Sequence, residues 1–282
     1  MYTKNQYLER KSMPKNVLVV GMPRSGTSMT ASIFASNGYF VAEDRKKELR
    51  AGDEYNPTGY WEADELIQCN SEIFSAAGFN YDNTWLYDEI SDNQAATILT
   101  LEQSSKHEKL VEKFNQHSPW IWKDPRLCYT LGYWWPLLNI ETTRVLFLKR
   151  DPKEIYSSFI RLKWRTASNK DKEDVLFRIK KHLEATETAL KKYKIPYIVV
   201  NYSEYRKHPE KIAHEISQFF ELTITKEDLG YQHKYNNHSV HGSVVRITNK
   251  IGDLLPNNIR KIIKKIIPSF IWKLINPHRY SK

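Results

Sequence analysis

The sequence predicts an α/β protein with three layers, α/β/α, around a central parallel sheet. Two observations carry this. Short apolar runs alternate with helical segments along the chain, the pattern of strands buried on both faces between crossover helices. The run Val17-Leu18-Val19-Val20 leads straight into Gly21-Met22-Pro23-Arg24-Ser25-Gly26-Thr27-Ser28, a strand followed by a phosphate-binding turn of the P-loop type and then a helix.

The elements follow in order. Residues 16–21 read as the first strand and Thr27–Asn37 as its helix, which Gly38 ends. Gly52, Pro57 and Gly59 break Lys46–Tyr60 into an irregular loop. Trp61–Ala77 and Ser104–His117 have helical character, Trp120–Trp122 is a short strand, and Pro125–Leu138 is read as one helix. Arg144–Leu148 is a buried strand whose helix begins near Pro152, a favoured first-turn proline. Lys170–Tyr193 is a long amphipathic helix, Tyr197–Val200 a further buried strand, and Pro209–Phe220 a helix. No repeat or low-complexity linker divides the chain, so residues 1–253 are taken as one domain with a nucleotide-binding core over about 14–222.

Composition narrows the class. The chain of 282 residues is long enough for a sizeable core, and 40% hydrophobic with 27% charged is ordinary for a globular protein. No run approaches eighteen apolar residues and the first twenty are polar and basic, so a cytoplasmic address is expected. Cys69 and Cys128, the two cysteines, fit buried thiols in a reducing compartment. The formal net charge of +10 is uneven: residues 254–282 hold seven cations and no acid. There Ile262, Ile263, Ile266, Ile267, Phe270, Ile271, Leu274 and Ile275 share one helical face, with Lys261, Lys264, Lys265 and Lys273 beside it. This is a basic amphipathic helix suited either to an anionic membrane surface or to docking on the body. Cations gathered in one apolar-faced tail do not form the stripe of a nucleic-acid-binding protein, so no nucleic acid is expected as a partner.

The turn sets the chemistry. A loop that grips a nucleoside triphosphate through magnesium has a Lys after its second glycine. Here Thr27 stands at that place. Backbone N–H groups, the hydroxyls of Ser25, Thr27 and Ser28, and the single cation Arg24 suit a less charged anhydride handled without a metal. A nucleotide or small-molecule kinase, the rival enzyme class, needs this Lys and a magnesium carboxylate; Thr27 denies the first, and no hydrophobic run ending in Asp offers a clear second. A second anion grip is suggested after the strand 144–148, where Arg150 leaves the strand end and Ser158 lies two helical turns on. His233, His238 and His241 form the only local histidine group in the sequence, and no Cys or carboxylate completes a ligand set with them, so no metal is expected.

Together, Arg24-Ser25-Gly26-Thr27-Ser28 and the Arg150/Ser158 pair resemble the two signature motifs of sulfotransferases that use 3′-phosphoadenosine 5′-phosphosulfate (PAPS). Tyr202-Ser203-Glu204 is similar to the family's third element, whose tyrosine lies by the adenine. The resemblance spans about residues 16 to 220. It implies that Arg24, Ser25, Gly26, Thr27 and Ser28 take the 5′-phosphosulfate, that Arg150 and Ser158 take the 3′-phosphate, and that Tyr202 contacts the base. Asn56–Glu62 and Trp120–Arg126 look like the bacterial and carbohydrate-acting branch, which implies a glycan or glycolipid acceptor. The phenol and steroid branch has Lys-x-His after the strand equivalent to 120–122; here Lys123 is followed by Asp124 and Pro125, leaving the base unassigned.

Arg24 and Lys123 are the cations expected at the leaving bridging oxygen. Glu62 is the first choice of general base, Asp124 the second, and Glu43 a third. Asp124 beside Lys123 and Arg126 is also suited merely to holding those cations, and Glu62 to complementing a helix dipole. The resemblance also makes Arg246, in a late basic segment, a candidate contact for the 3′-phosphate. Tyr55, Tyr60, Trp61, Phe79, Tyr81, Trp85, Trp134, Trp135 and Trp164 are expected to crowd the acceptor side.

Overall fold

The structure, a computed structural model, describes residues 13–52, 56, 59–79 and 90–230. In chain order these form β1 (Asn16–Val20), α1 (Thr27–Ser36), α2 (Arg45–Glu48), α3 (Asp64–Ala76), α4 (Asp92–Ile98), α5 (Ser105–Asn115), β2 (Ile121–Lys123) and α6 (Leu127–Trp134). Then follow β3 (Thr143–Lys149), α7 (Pro152–Arg161), α8 (Asn169–Lys192), β4 (Tyr197–Asn201), α9 (Glu204–Lys207) and α10 (Pro209–Phe220).

The four strands are all parallel, in the order β2-β1-β3-β4. The sheet is covered on both faces because its strands have apolar residues at successive positions, which point alternately to one side and the other. Leu18, Val20, Trp120, Trp122, Val145 and Phe147 face α3, α5 and α6. Val17, Val19, Ile121, Leu146, Leu148 and Val200 face α1 and α10. The buried Asn16 side chain joins β1 to the approach of β2, its Oδ1 accepting from Ser118 Oγ at 2.7 Å and from the Trp120 N–H at 3.1 Å. From β1 the chain runs to one side and from β3 to the other, so the crevice above the carboxyl ends of β1 and β3 is the switch point where such sheets bind ligands.

Several expectations need correction. Tyr197–Val200 was expected to be buried, but β4 is an edge strand, and Tyr197 and Val199 are 42% and 41% exposed. A short apolar run does not say whether its strand is central. The single helix expected over Pro125–Leu138 is α6 followed by a 3₁₀ turn at Trp135–Leu137, where Pro136 brings no N–H to continue the ladder. The helix expected from Trp61 starts at Asp64, since Trp61 sits at φ 57. The loop expected over Lys46–Tyr60 instead opens with α2, capped by Asp44, which accepts from the Lys46 N–H. Both cysteines are buried and unbridged. No helix among the described residues is long and apolar enough to cross a membrane. The basic tail, Arg246, His233, His238, His241, Tyr55, Tyr81 and Trp85 lie outside the described residues.

One buried histidine gives the fold a pH dependence. His182 of α8 packs edge-on against Tyr129 of α6 and donates from Nδ1 to the Arg178 carbonyl at 2.8 Å. Burial pulls its pKa from 6.5 to about 4. The unfolded chain takes up that proton near pH 6.5 and the folded one only near 4. Stability from this residue is therefore complete above pH 6.5 and falls by roughly 3 kcal/mol as the pH drops through that window. Urea unfolding at stepped pH is expected to show this fall, and a His182→Leu chain to lack that component of it.

Candidate active site

The loop from Gly21 to Gly26 is built for close approach. Gly26 has φ 103, and a Cβ there would lie 2.4 Å from Cδ2 of the Tyr202 ring, so that ring rests directly on the turn. A Cβ on Gly21 would lie 2.7 Å from the Leu148 carbonyl of β3. Both positions demand glycine, one for conformation and one for space. Ser25 is buried and its Oγ donates to the Met22 carbonyl at 2.6 Å, so this hydroxyl closes the turn. Thr27 is buried at the first position of α1, and Ser28 follows half-buried. The first N–H groups of α1 thus meet the turn at the sheet's switch point, the geometry of an anion site.

Arg24 stands at φ 68, a left-handed backbone uncommon outside glycine. Its Nε donates to Ser158 Oγ at 3.2 Å, and its guanidinium lies 5.7 Å from the centre of the Trp164 ring. Arg150 donates from Nη1 to the Arg24 carbonyl at 2.9 Å, pairs with Glu154 at 2.8 Å, and stacks 4.2 Å over Tyr202. The two grips read separately in the sequence, Arg24's turn and Arg150/Ser158, therefore adjoin in one place. Glu154 holds Arg150 on the side of α7, one turn from the Asp151 cap and Pro152. Tyr202, expected beside the adenine, forms a wall common to Gly26 and Arg150.

Sequence reasoning missed Arg161. It lies three residues past Ser158 on α7, the spacing that puts both on one face. Burial, and then the charges of Arg24 and Arg150, pull its pKa down to about 10. The three guanidinium groups thus lie close enough to act on one another, a field that a multiply charged anion would relieve.

A second group gathers at the end of β2, whose Lys123 is level with Val19 of β1. The side chains of Lys123 and Glu62 are 3% and 2% exposed and form a direct ion pair, Lys123 Nζ to Glu62 Oε1. Glu62 Oε2 faces Arg50 Nη1 at 3.4 Å, and the Arg50 guanidinium stacks 4.2 Å over Tyr60. Glu62 precedes α3 by two residues, so it complements no first helical turn; its carboxylate points inward at Lys123.

Asp124 is fully buried and its oxygens are occupied. They accept from Asn70 Nδ2 at 3.1 Å, from the Arg126 N–H at 2.8 Å and from Arg126 Nη1 at 3.1 Å. Asn70 is held in turn by Thr130 Oγ1 and Trp134 Nε1, both at 2.8 Å. Glu43 is exposed and stands 3.9 Å from Lys113, a cation occupied by Glu65 at 2.8 Å. Of the aromatic residues expected on the acceptor side, Phe79, Trp134 and Trp135 belong instead to the hydrophobic core. Sequence alone does not separate a core tryptophan from a pocket one. Tyr60 is also buried, with Arg50 on its face, which leaves Trp61 and Trp164 as candidates.

Residues 14–226 match the model of the sulfotransferase family, which is most of the chain, and the protein belongs to that family. It is thus a sulfotransferase, an enzyme that moves a sulfuryl group to an acceptor. Among solved structures it is similar to the sulfotransferase domain of the Synechococcus PCC 7002 olefin synthase, at 14% identity and a TM-score of 0.46, covering 99% of this chain and 100% of that one. It is also similar to the sulfotransferase STF1 of Mycobacterium tuberculosis H37Rv, at 13% identity and 0.46, over 86% and 77% of the two chains. The sulfotransferase domain from the curacin biosynthetic pathway matches at 16% identity and 0.45, over 82% of each chain. No curated protein matches the chain in sequence.

Proposed function

We propose that the protein transfers a sulfuryl group from PAPS to a hydroxyl of a glycan or glycolipid. The observation that carries the donor is the junction of Arg24, Ser158 and Arg150 beside the Gly21–Gly26 turn. A nucleotide phosphorylated at both 5′ and 3′ positions needs two anion grips held a ribose apart, and this crevice has cations for both. The α1 N-terminus with Thr27 and Ser28 takes the 5′-phosphosulfate, Arg150 and Ser158 take the 3′-phosphate, and Tyr202 flanks the base.

Transfer is an in-line displacement at sulfur, the analogue of phosphoryl transfer. The acceptor oxygen bonds to sulfur as the bond from sulfur to the 5′-phosphate oxygen breaks, leaving a sulfate ester and adenosine 3′,5′-bisphosphate. Glu62 takes the acceptor proton on Oε2, whose 3.4 Å contact with Arg50 is long enough to yield to a hydroxyl. Lys123 and Arg24 stabilise the charge developing on the leaving oxygen. Asp124 is a positioning residue that fixes the turn after Lys123, because its oxygens already accept four hydrogen bonds. Trp61 and Trp164 offer flat faces for a sugar ring.

Calorimetry with adenosine 3′,5′-bisphosphate, AMP and ATP–magnesium tests the donor site. Tight binding of the bisphosphate alone is expected, and preference for ATP–magnesium would refute it. Labelled PAPS offered with glycans, glycolipids and simple phenols then tests the acceptor class, which falls if only phenols take up label.

A further inference from the structure

Away from the crevice, α3 and α5 bring Cys69, Glu72 and His107 together, with one ligand atom of each lying within 4.8 Å of the others. We propose that these three side chains bind a single zinc-type dication that clips α3 to α5. The proposal does not depend on the donor or acceptor reading above.

Cys69 and Glu72 are three residues apart on α3, so both face α5. His107 lies in the first turn of α5, which Ser104 caps. Its ring is about 5% exposed and is held edge-on to Tyr133 at 5.5 Å and against Trp134 at 5.1 Å. Nδ1 meets the Tyr133 hydroxyl at 2.7 Å, and that hydroxyl reaches the Glu102 carbonyl at 3.4 Å. With the tyrosine proton on the carbonyl, Nδ1–H donates to the tyrosine oxygen and the lone pair of Nε2 points at Glu72. That is the outer-shell arrangement of a metal-binding histidine. Among the described residues Nε2 meets no hydrogen-bond criterion, and its nearest carboxylate oxygen, Glu72 Oε2, lies 3.5 Å away. A buried nitrogen facing a carboxylate and a thiol is an oriented ligand set.

The chemistry selects the ion. A thiolate, an imidazole and a carboxylate suit zinc and disfavour magnesium or calcium, which prefer oxygen alone. One thiolate and one carboxylate neutralise a dication, so no net charge is buried. Tetrahedral zinc places its ligand atoms about 3.3–3.8 Å apart, so the present set must draw in by about 1 Å. Glu72 has the freedom for this: it is 37% exposed and engages Lys106 through Oε1, leaving Oε2 for the metal. A cavity of about 400 Å³, lined by Cys69, Lys106 and Lys109, opens on the same side and admits water to a fourth position.

The test uses the full chain stripped with EDTA and titrated with Co²⁺ as a coloured stand-in for zinc. One equivalent is expected to produce thiolate-to-cobalt charge-transfer absorption, displaced by Zn²⁺. Cys69→Ser should abolish the band and Cys128→Ser should leave it. Glu72→Gln, at a half-exposed position that does not threaten folding, should weaken Co²⁺ binding at least about tenfold. Absence of the band in the full chain, its survival in Cys69→Ser, or unchanged affinity in Glu72→Gln would each overturn the proposal.

Discussion

Glu62→Gln is expected to lower turnover by about 100- to 10,000-fold while affinity for adenosine 3′,5′-bisphosphate changes less than about threefold, the range a positioned general base supplies. The split follows from place. Glu62 meets Lys123 at the end of β2, whereas the cations assigned to the nucleotide stand beyond β1 and β3. The amide keeps the volume and one acceptor for Lys123 but cannot take the acceptor's proton. Replacing one partner of a buried ion pair also costs about 3–5 kcal/mol, because Lys123 is left under-compensated. Thermal unfolding therefore accompanies the kinetics, with rates compared well below the lowered midpoint. A loss of turnover that tracks nucleotide affinity would show that the carboxylate only supports Lys123. Unchanged turnover would end its candidacy as base.

How much of this was legible beforehand depends on the distance over which the physics acts. The turn at Gly21–Ser28 was readable because its demands are local: a strand end, two glycines and a helix start lie within a dozen residues. The start of α7 at Pro152 was readable for the same reason, whereas its Asp151 cap was seen only in the structure. Contacts across the fold were not. Nothing in the order of residues says that Arg24 leans on Ser158, 134 positions away, or that Lys123 meets Glu62 across 61. Arg161 passed unnoticed because an arginine near the end of a helix is ordinary until two others converge on it. Trp134 and Trp135 went to the wrong place for the opposite reason: tryptophan suits a core and a sugar pocket equally. The Cys69–Glu72–His107 cluster needed two helices brought together, and spacing within either one could not reveal it.

Arg150→Met should weaken adenosine 3′,5′-bisphosphate by at least about 30-fold and leave AMP within about threefold. Charge-assisted hydrogen bonds contribute about 1.5–3 kcal/mol each, and a bidentate grip on phosphate makes two. Arg150 also donates to the Arg24 carbonyl, so its removal threatens the turn as well as the proposed 3′-phosphate contact. The AMP comparison separates these effects. AMP carries only the 5′-phosphate, and a collapsed turn would weaken both nucleotides together. Arg150→Lys sharpens the reading, for the ammonium keeps the charge and loses the planar fork that stacks on Tyr202. An intermediate loss for the bisphosphate, again with AMP unaffected, is expected of that chain. Equal losses for both nucleotides in both variants would make Arg150 a brace for the Gly21–Gly26 turn, and recognition of the 3′-phosphate would then pass to Arg161, whose charge feels that of Arg150.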